Sequence, residues 1–382
     1  MSDIAVIFGG PSPEHDVSVL TGLQAAHELQ RAGHTVQAFY WTKTAEWFAV
    51  DAALEPTAFL DGVPKGAQSM RLVLGAGGGF EATGGRFSRQ KPADVDVAVV
   101  CCHGGPGEDG TLQAALDGAG IAYTGPGVAA AALGMDKLAF GGVMTAAGLP
   151  TLPRLALTSS TDGAAGEVRF AGPYIVKPRF GGSSIGIEVV EDLATAKALL
   201  GTSQHGNVHL RAGAVLEPFR PDLFDVQVAL RCWPEPEVSA IERPLRSPGR
   251  AGSTGDEILG YTDKYVGGEG MASAPRELPA DLPASLADDL RRAARRIGEL
   301  ALVRGVARID FLTDGSEWVV NEINTIPGSL ARYLWIDPVV PFARLLDDMI
   351  AEARARPTAR YSAVGADGLV LRGASSIAAK LA

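Results

Sequence analysis

Apolar residues gather along this chain in short runs that stop at glycine, and the stretches between them carry apolar positions at helical spacing. Ile4 to Phe8 is such a run, ending at Gly9 and Gly10, and the segment from Asp16 to Arg31 follows it, so the opening reads strand, loop, helix. His34 to Trp41 predicts a second strand. Ala98 to Cys102 predicts another, followed by the glycine-rich HGGPGEDG and an amphipathic stretch from Thr111 to Ala119. The first third is therefore expected to be an open α/β layer, whose loops at the C-terminal ends of strands usually bind ligands. Residues 61–90 are rich in Gly and Ser with only short apolar runs, which predicts a peripheral hairpin or loop insertion.

A second module begins near Met135, with a helix through Ala147, a proline-containing link from Leu149 to Arg154, and a strand from Tyr174 to Lys177 leading into GGSSIG. A third begins near Val215. It carries a strand from Phe224 to Leu230, a helix from Ser285 to Leu302, and strands from Ala307 to Leu312 and Trp318 to Ile323. In that helix Leu290, Ala294, Ile297 and Ala301 share one face, while Arg291, Arg295 and Glu299 lie away from it. The expected organisation is an N-terminal α/β domain (1–130), a central subdomain (131–213), a C-terminal subdomain (214–356) and a tail (357–382) in which Leu369 to Ala382 is a helix candidate.

The length, 382 residues with 46% apolar, supports a sizeable core in two to three domains. A formal net charge of -10 argues against nucleic acid or an anionic membrane as partner, since both reward clustered positive charge. Any anionic ligand must be held by local groups. Cys101, Cys102 and Cys232 form no CxxC pair, and the apolar run at the N-terminus is too short for a signal peptide or a membrane span, so a soluble cytoplasmic protein is expected.

Two constellations carry chemistry. Lys177-Pro-Arg-Phe-Gly-Gly-Ser-Ser-Ile-Gly186 follows a strand; its small residues let backbone N–H groups approach a phosphate, and Lys177 adds a point charge. A flexible hairpin turn is the plain alternative for a glycine-serine run. Asp310, Glu322 and Asn324 lie on adjacent apolar segments separated by the turn Thr313-Asp314-Gly315, so a hairpin can bring three hard oxygen ligands together, a set that suits magnesium beside phosphate. Zinc and calcium-loop spacings are absent, as are GxxxxGK[ST] and a GxGxxG loop followed by the acidic residue that a dinucleotide site needs, which argues against P-loop and dinucleotide-binding readings.

GGPSPEHDVS at 9–18, HGGPGEDGTLQ at 103–113, MDK at 135–137, VKPRFGGSSIG at 176–186, DKY at 263–265, ARIDF at 307–311 and NEINTIPG at 321–328 together resemble D-alanine:D-alanine ligases, in order and spacing, over about residues 4–350. The resemblance implies an α/β protein with the three-domain ATP-grasp fold, in which two modules clamp ATP. It implies that Lys137 and Lys177 bind phosphate, that Ser184 belongs to the loop over the phosphates, and that Glu217 contacts adenine beside Pro218, with Asp225 at the ribose. Asp310, Glu322 and Asn324 become ligands of Mg2+, with Mn2+ as a substitute. Glu14 would accept the ammonium of the first amino acid, and His103 would lie beside its carboxylate. Glu14, Ser183 and Tyr265 would link the N-terminal loop to a lid around Lys264. Taken alone, Tyr265 reads as a surface aromatic and His103 as a loop residue satisfying backbone groups.

The implied reaction joins two small amino acids, D-alanine with D-alanine first among them, for peptidoglycan precursor synthesis. One carboxylate takes the γ-phosphate of ATP, and the second amine attacks the acyl phosphate. Arg308 and the Gly328 N–H stabilise the oxyanion. Family members carry a Thr and a Ser after NTIPG on the segment that grips the acceptor carboxylate; here Ser329 follows directly and Tyr333 stands at the place of that Ser. Tyr265 favours an amine over a hydroxy-acid acceptor. A homodimer is implied as well. The alternatives are a dipeptide or depsipeptide ligase of a specialised pathway and a catalytically silent ATP-binding regulator.

Overall fold

The computed structural model describes residues 3–83, 92–161, 168–201, 206–245, 275–358, 363–374 and 376–381. Three sheets organise them. The first has seven strands in the order Gly79–Ala82, Gln68–Val73, Trp47–Val50, Thr35–Trp41, Asp3–Gly9, Val97–Val100 and Ala122–Tyr123. Asp3–Gly9 runs parallel to both of its neighbours, and the last two strands also pair in parallel. Ile4 to Phe8 are 0% exposed, which explains why this strand reads as an unbroken apolar run rather than an alternation: it is covered on both faces. Gln68–Val73 and Gly79–Ala82 form the expected peripheral hairpin, added antiparallel to the edge strand Trp47–Val50.

The second sheet is antiparallel, in the order Glu188–Val190, Tyr174–Pro178, Ala214–Pro218, Leu155–Leu157. Ala214–Pro218 therefore belongs to the central module, and the expected boundary between 213 and 214 falls just before a strand of this sheet. A hydrophobic run alone does not disclose its pairing partner. The third sheet, also antiparallel, runs Arg276–Glu277, Glu237–Pro244, Phe224–Arg231, Val306–Thr313, Trp318–Asn324. The helix Ala284–Leu300 buries Leu286, Leu290, Ala293, Ala294 and Ile297 in the same core as this sheet, joined by Phe140 and Met144 of the helix Lys137–Ala146.

The chain then returns to its beginning. Ile326, Leu330, Ala331, Leu334 and Trp335, and the helix Phe342–Ala355 through Leu345, Leu346, Met349, Ile350 and Ala353, lie in the core of the first sheet rather than that of the third. Residues 326–355 are thus shared with the N-terminal domain, where the sequence places them with the C-terminal one. Among the described residues of the tail are two short helices, Leu369–Arg372 and Ile377–Leu381.

Candidate active site

Strand alternation assembles the acidic part of the site. Asp310 is directly opposite Glu322 and Arg308 opposite Asn324, so all four side chains project from one face of the hairpin. Gln227 on the other neighbouring strand is opposite Asp310, and Asp225 is opposite Leu312, which carries the same face outward along Phe224–Arg231. Arg308 grips the Asp310 carboxylate with Nε to Oδ1 at 2.7 Å and Nη2 to Oδ2 at 2.8 Å, both side chains being buried. The Asn324 amide nitrogen donates to Asp310 Oδ2 at 3.3 Å. Glu322 pairs with Lys137 Nζ at 3.1 Å.

Two carboxylates and a side-chain amide therefore converge at the end of one hairpin. The donor set is hard oxygen, with Lys137 and Arg308 beside the acids, and it fits a magnesium ion that would complete its shell with phosphate and water. Among the described residues no group of three His, Cys, Asp or Glu side chains is disposed to hold a metal ion.

This face forms one wall of a cleft whose other wall is the central sheet. Lys137, Lys177, Ser184, Glu217, Pro218, Asp225, Asp310 and Glu322 all line it, so eight sequence-predicted positions meet around one space. Lys177 Nζ donates to Glu217 Oε2 at 2.8 Å, and Arg154 approaches Oε1 at 3.1 Å. Burial alone pushes the Glu217 carboxyl up, but Lys177, Arg154 and Lys137 outweigh it and hold the group below its ordinary value. Sequence reading missed Arg154; an arginine in a proline-rich link gives no sign that it folds under a sheet.

The N-terminal loop meets the phosphate loop at Glu14. The Ser183 hydroxyl donates to Glu14 Oε1, and the carboxylate is hemmed by two glycines: a Cβ at Gly104 would lie 2.3 Å from Glu14 Oε2 and one at Gly182 2.8 Å from it. Gly104 also has φ +64, so neither space nor backbone admits a side chain there. Ser183 and Ser184 are themselves left-handed at φ 53 and φ 58, the local strain of a loop shaped for close approach.

His103 is buried, with Nδ1 at 2.7 Å from the Ile326 carbonyl and Nε2 at 2.8 Å from Thr21 Oγ1. Burial drives its pKa down to about 4, the Arg308 charge adding to the effect against the Ile326 carbonyl, so the ring is neutral at pH 7. Glu108 is buried beside it. It accepts from Gly104 N at 2.9 Å, from Ile326 N at 3.0 Å and from Thr325 Oγ1 at 3.3 Å. Burial, with Glu14 adding to it and those three hydrogen bonds opposing it, raises its pKa to about 7. Glu108 and Thr21 were not predicted as site residues, although Glu108 stands in HGGPGEDG, where an acid inside a glycine-rich run was a usable signal.

On the acceptor side, Ser329, Leu330 and Ala331 all adopt left-handed backbone at φ 50, 49 and 50, and Ser329 N donates to Thr21 Oγ1 at 3.0 Å. Gly328, the oxyanion candidate, begins this turn and is buried. Tyr333 lies outside the nucleotide cleft, its ring 4.7 Å from the Arg276 guanidinium carbon and its hydroxyl beside Arg308. Lys264 and Tyr265 lie outside the described residues.

Two β-rich modules clasping a phosphate loop, paired lysines and a hairpin of acidic ligands define the ATP-grasp class of enzyme. Residues 3–126 match the family model for the D-ala D-ala ligase N-terminus and residues 143–351 that for the D-ala D-ala ligase C-terminus. The chain is 30% identical to a D-alanine--D-alanine ligase of Chlorobium limicola, covering 93% of this chain and 98% of the relative. It is 30% identical to one from Mycobacterium sp. (strain KMS), covering 93% and 97%. Among solved structures, the D-alanine-D-alanine ligase from Coxiella burnetii superposes with a TM-score of 0.75 at 22% identity, over 97% of this chain and 99% of that one. The VanG D-Ala:D-Ser ligase from Enterococcus faecalis does so with 0.71 at 25%, over 92% and 99%. The chain belongs to the D-alanine–D-alanine ligase family and is an ATP-dependent ligase.

Proposed function

We propose that the enzyme joins two D-alanine molecules at the expense of ATP, supplying D-alanyl-D-alanine for peptidoglycan precursors. The observation that carries this reading is the meeting of Glu14, Ser183, Lys137, Lys177, Arg308, Asp310 and Glu322 across three separate parts of the chain. Glu14, held against the phosphate loop through Ser183, receives the ammonium of the first amino acid and turns its carboxylate toward the γ-phosphate. Lys137 and Lys177 offset the phosphate charge from one side, and Arg308 and the Gly328 N–H face the acyl oxygen when the second amine attacks the carbon. Asp310, Glu322 and Asn324 would hold Mg2+, or Mn2+ in its place, which when bound neutralises and orients the phosphates.

Asp225, lining the cleft, is assigned to the ribose, and Glu217 with Pro218 to the adenine end. Lys264 and Tyr265 are assigned to the lid that excludes water from the acyl phosphate. A cytoplasmic homodimer completes the proposal; no described helix is long and apolar enough to cross a membrane. Incubation with ATP, magnesium and a panel of D- and L-amino acids, with products identified by mass, tests the reading: D-alanyl-D-alanine should dominate, and its absence overturns it.

A second reading, the same chemistry with another acceptor, is favoured by one feature: Tyr333, which stands where the family carries a small Ser, has the Arg276 guanidinium over its ring. The VanG D-Ala:D-Ser ligase has a similar fold and a different acceptor in its name. Tyr333→Phe should raise the KM of the acceptor amino acid well above that of the donor. Equal changes in both would assign the carboxylate to Ser329 or another group.

A further inference from the structure

The loop that follows the metal-ligand hairpin, Thr325 to Ser329, is held by the N-terminal domain at three successive points. Glu108 Oε1 accepts the Ile326 N–H at 3.0 Å, His103 Nδ1 meets the Ile326 carbonyl at 2.7 Å, and Thr21 Oγ1 accepts the Ser329 N–H at 3.0 Å. All three side chains are buried, Thr21 to 1% exposure, His103 to 3% and Glu108 to 8%.

The proton positions follow from the partners. A carbonyl only accepts, so His103 must carry its proton on Nδ1; Nε2 is then an acceptor, and the 2.8 Å contact with Thr21 is a bond donated by the Thr21 hydroxyl. Thr21 thus gives its proton to His103 and takes the Ser329 N–H on its oxygen. Both nitrogens of His103 are occupied, Nδ1 by the Ile326 carbonyl and Nε2 by the Thr21 hydroxyl, which leaves no N–H on it for a substrate carboxylate in this arrangement. Gly328 lies between the clasped residues Ile326 and Ser329.

We infer that Thr21, His103 and Glu108 are positioning residues that aim the Gly328 N–H at the acyl oxygen, and that they govern whether the acyl phosphate is captured by amine or lost to water. The inference rests on the proposed acyl-phosphate reaction. In the productive step the acceptor nitrogen bonds to the acyl carbon, the carbon–oxygen bond to phosphate breaks, phosphate leaves with the electron pair, and the nitrogen releases a proton. In the leak a water oxygen makes that bond instead, returning the free amino acid, phosphate and protons. Both attacks build the same oxyanion, but the amine is a single bound molecule whose approach must be exact to about an ångström, so a shifted loop slows amine capture more than attack by water. The nucleotide cleft does not include these three residues, so phosphoryl transfer is spared when the clasp loosens.

The test is Thr21→Val, which keeps the shape of the side chain and removes both hydrogen bonds, assayed with ATP, magnesium and D-alanine for ADP and dipeptide in the same sample. The wild type should form one dipeptide per ADP. The variant should lose dipeptide rate by roughly three- to tenfold, the size of a lost buried hydrogen bond, with excess ADP and an unchanged KM for ATP. Thr21→Ser should restore the coupling. A Thr21→Val enzyme that keeps one dipeptide per ADP at full rate overturns the inference. If that variant fails to fold, Glu108→Gln, which keeps an acceptor oxygen for only part of the clasp, is read in the same way. A wild type that makes no dipeptide from D-alanine would instead overturn the underlying reaction.

Discussion

Glu322 shows how much one charge is asked to do. Its carboxylate faces Lys137 at 3.1 Å and stands opposite Asp310, so it belongs at once to the lysine proposed to meet phosphate and to the proposed metal set. Glu322→Gln keeps the shape and removes the charge. Losing one charge-assisted partner of roughly 1.5 to 3 kcal/mol predicts turnover lower by about 10- to 150-fold, with half-saturation moved to higher magnesium. Its side chain is not part of any hydrophobic core, so the melting temperature should move little. A magnesium titration that superposes on the wild type would remove Glu322 from the metal set. At this scale part was legible beforehand: Lys177 at the end of an apolar run, and Asp310 and Glu322 within two apolar segments joined by a turn, stand out as polar residues, whereas Lys137 was read from the family resemblance. Arg154 and Thr21 did not. An arginine in a proline-rich link and a threonine within a helix look like ordinary surface or helix positions until the fold buries them.

The helix Lys137–Ala146 illustrates what an element contributes. Asp136 caps it, accepting from Leu138 N and Ala139 N at 3.1 Å each, and also binds Arg179 Nε at 2.8 Å, tying the helix start to the phosphate loop. Asp136→Ala should destabilise the protein by about 1 to 2 kcal/mol for the cap, with up to about 1 kcal/mol more from the partly exposed arginine pair. Asp136→Asn keeps the cap and loses only the ionic part, so denaturant unfolding should rank wild type, Asn, Ala in falling stability. Equal losses for Asn and Ala would show that the arginine pair, not the cap, carries the effect. The helices and strands themselves were readable because each has its own period and stop. The pairing of Ala214–Pro218 with Tyr174–Pro178, and the return of residues 326–355 to the first core, were not. Long-range pairing is decided by which faces are left to cover, information that no local window contains.

Across the whole molecule, the junction between the N-terminal domain and the loop after Asn324 contains two buried titratable groups shifted in opposite senses. Glu108 is raised from 4.5 to about 7, chiefly by burial, and His103 is lowered from 6.5 to about 4 for the same reason. Between pH 4.5 and 7 the folded protein keeps a proton on Glu108 that the unfolded chain releases, so this group's contribution to stability falls as pH rises. Between pH 4 and 6.5 the unfolded chain holds a proton on His103 that the fold excludes, so that contribution rises. Each is worth at most about 3 kcal/mol, and in the overlap they oppose one another. The junction as a whole is therefore buffered against acid, and single substitutions should expose the two halves. Relative to wild type, Glu108→Gln should become more stable as pH rises from 4.5 to 7, because the falling contribution is gone. His103→Gln should become less stable, relative to wild type, as pH rises from 4 to 6.5. Denaturant unfolding at closely spaced pH values, read as variant minus wild type, cancels every group the proteins share. Two difference curves of the same sign, or two flat ones, would mean that the clasp is ionised differently from the burial of these residues.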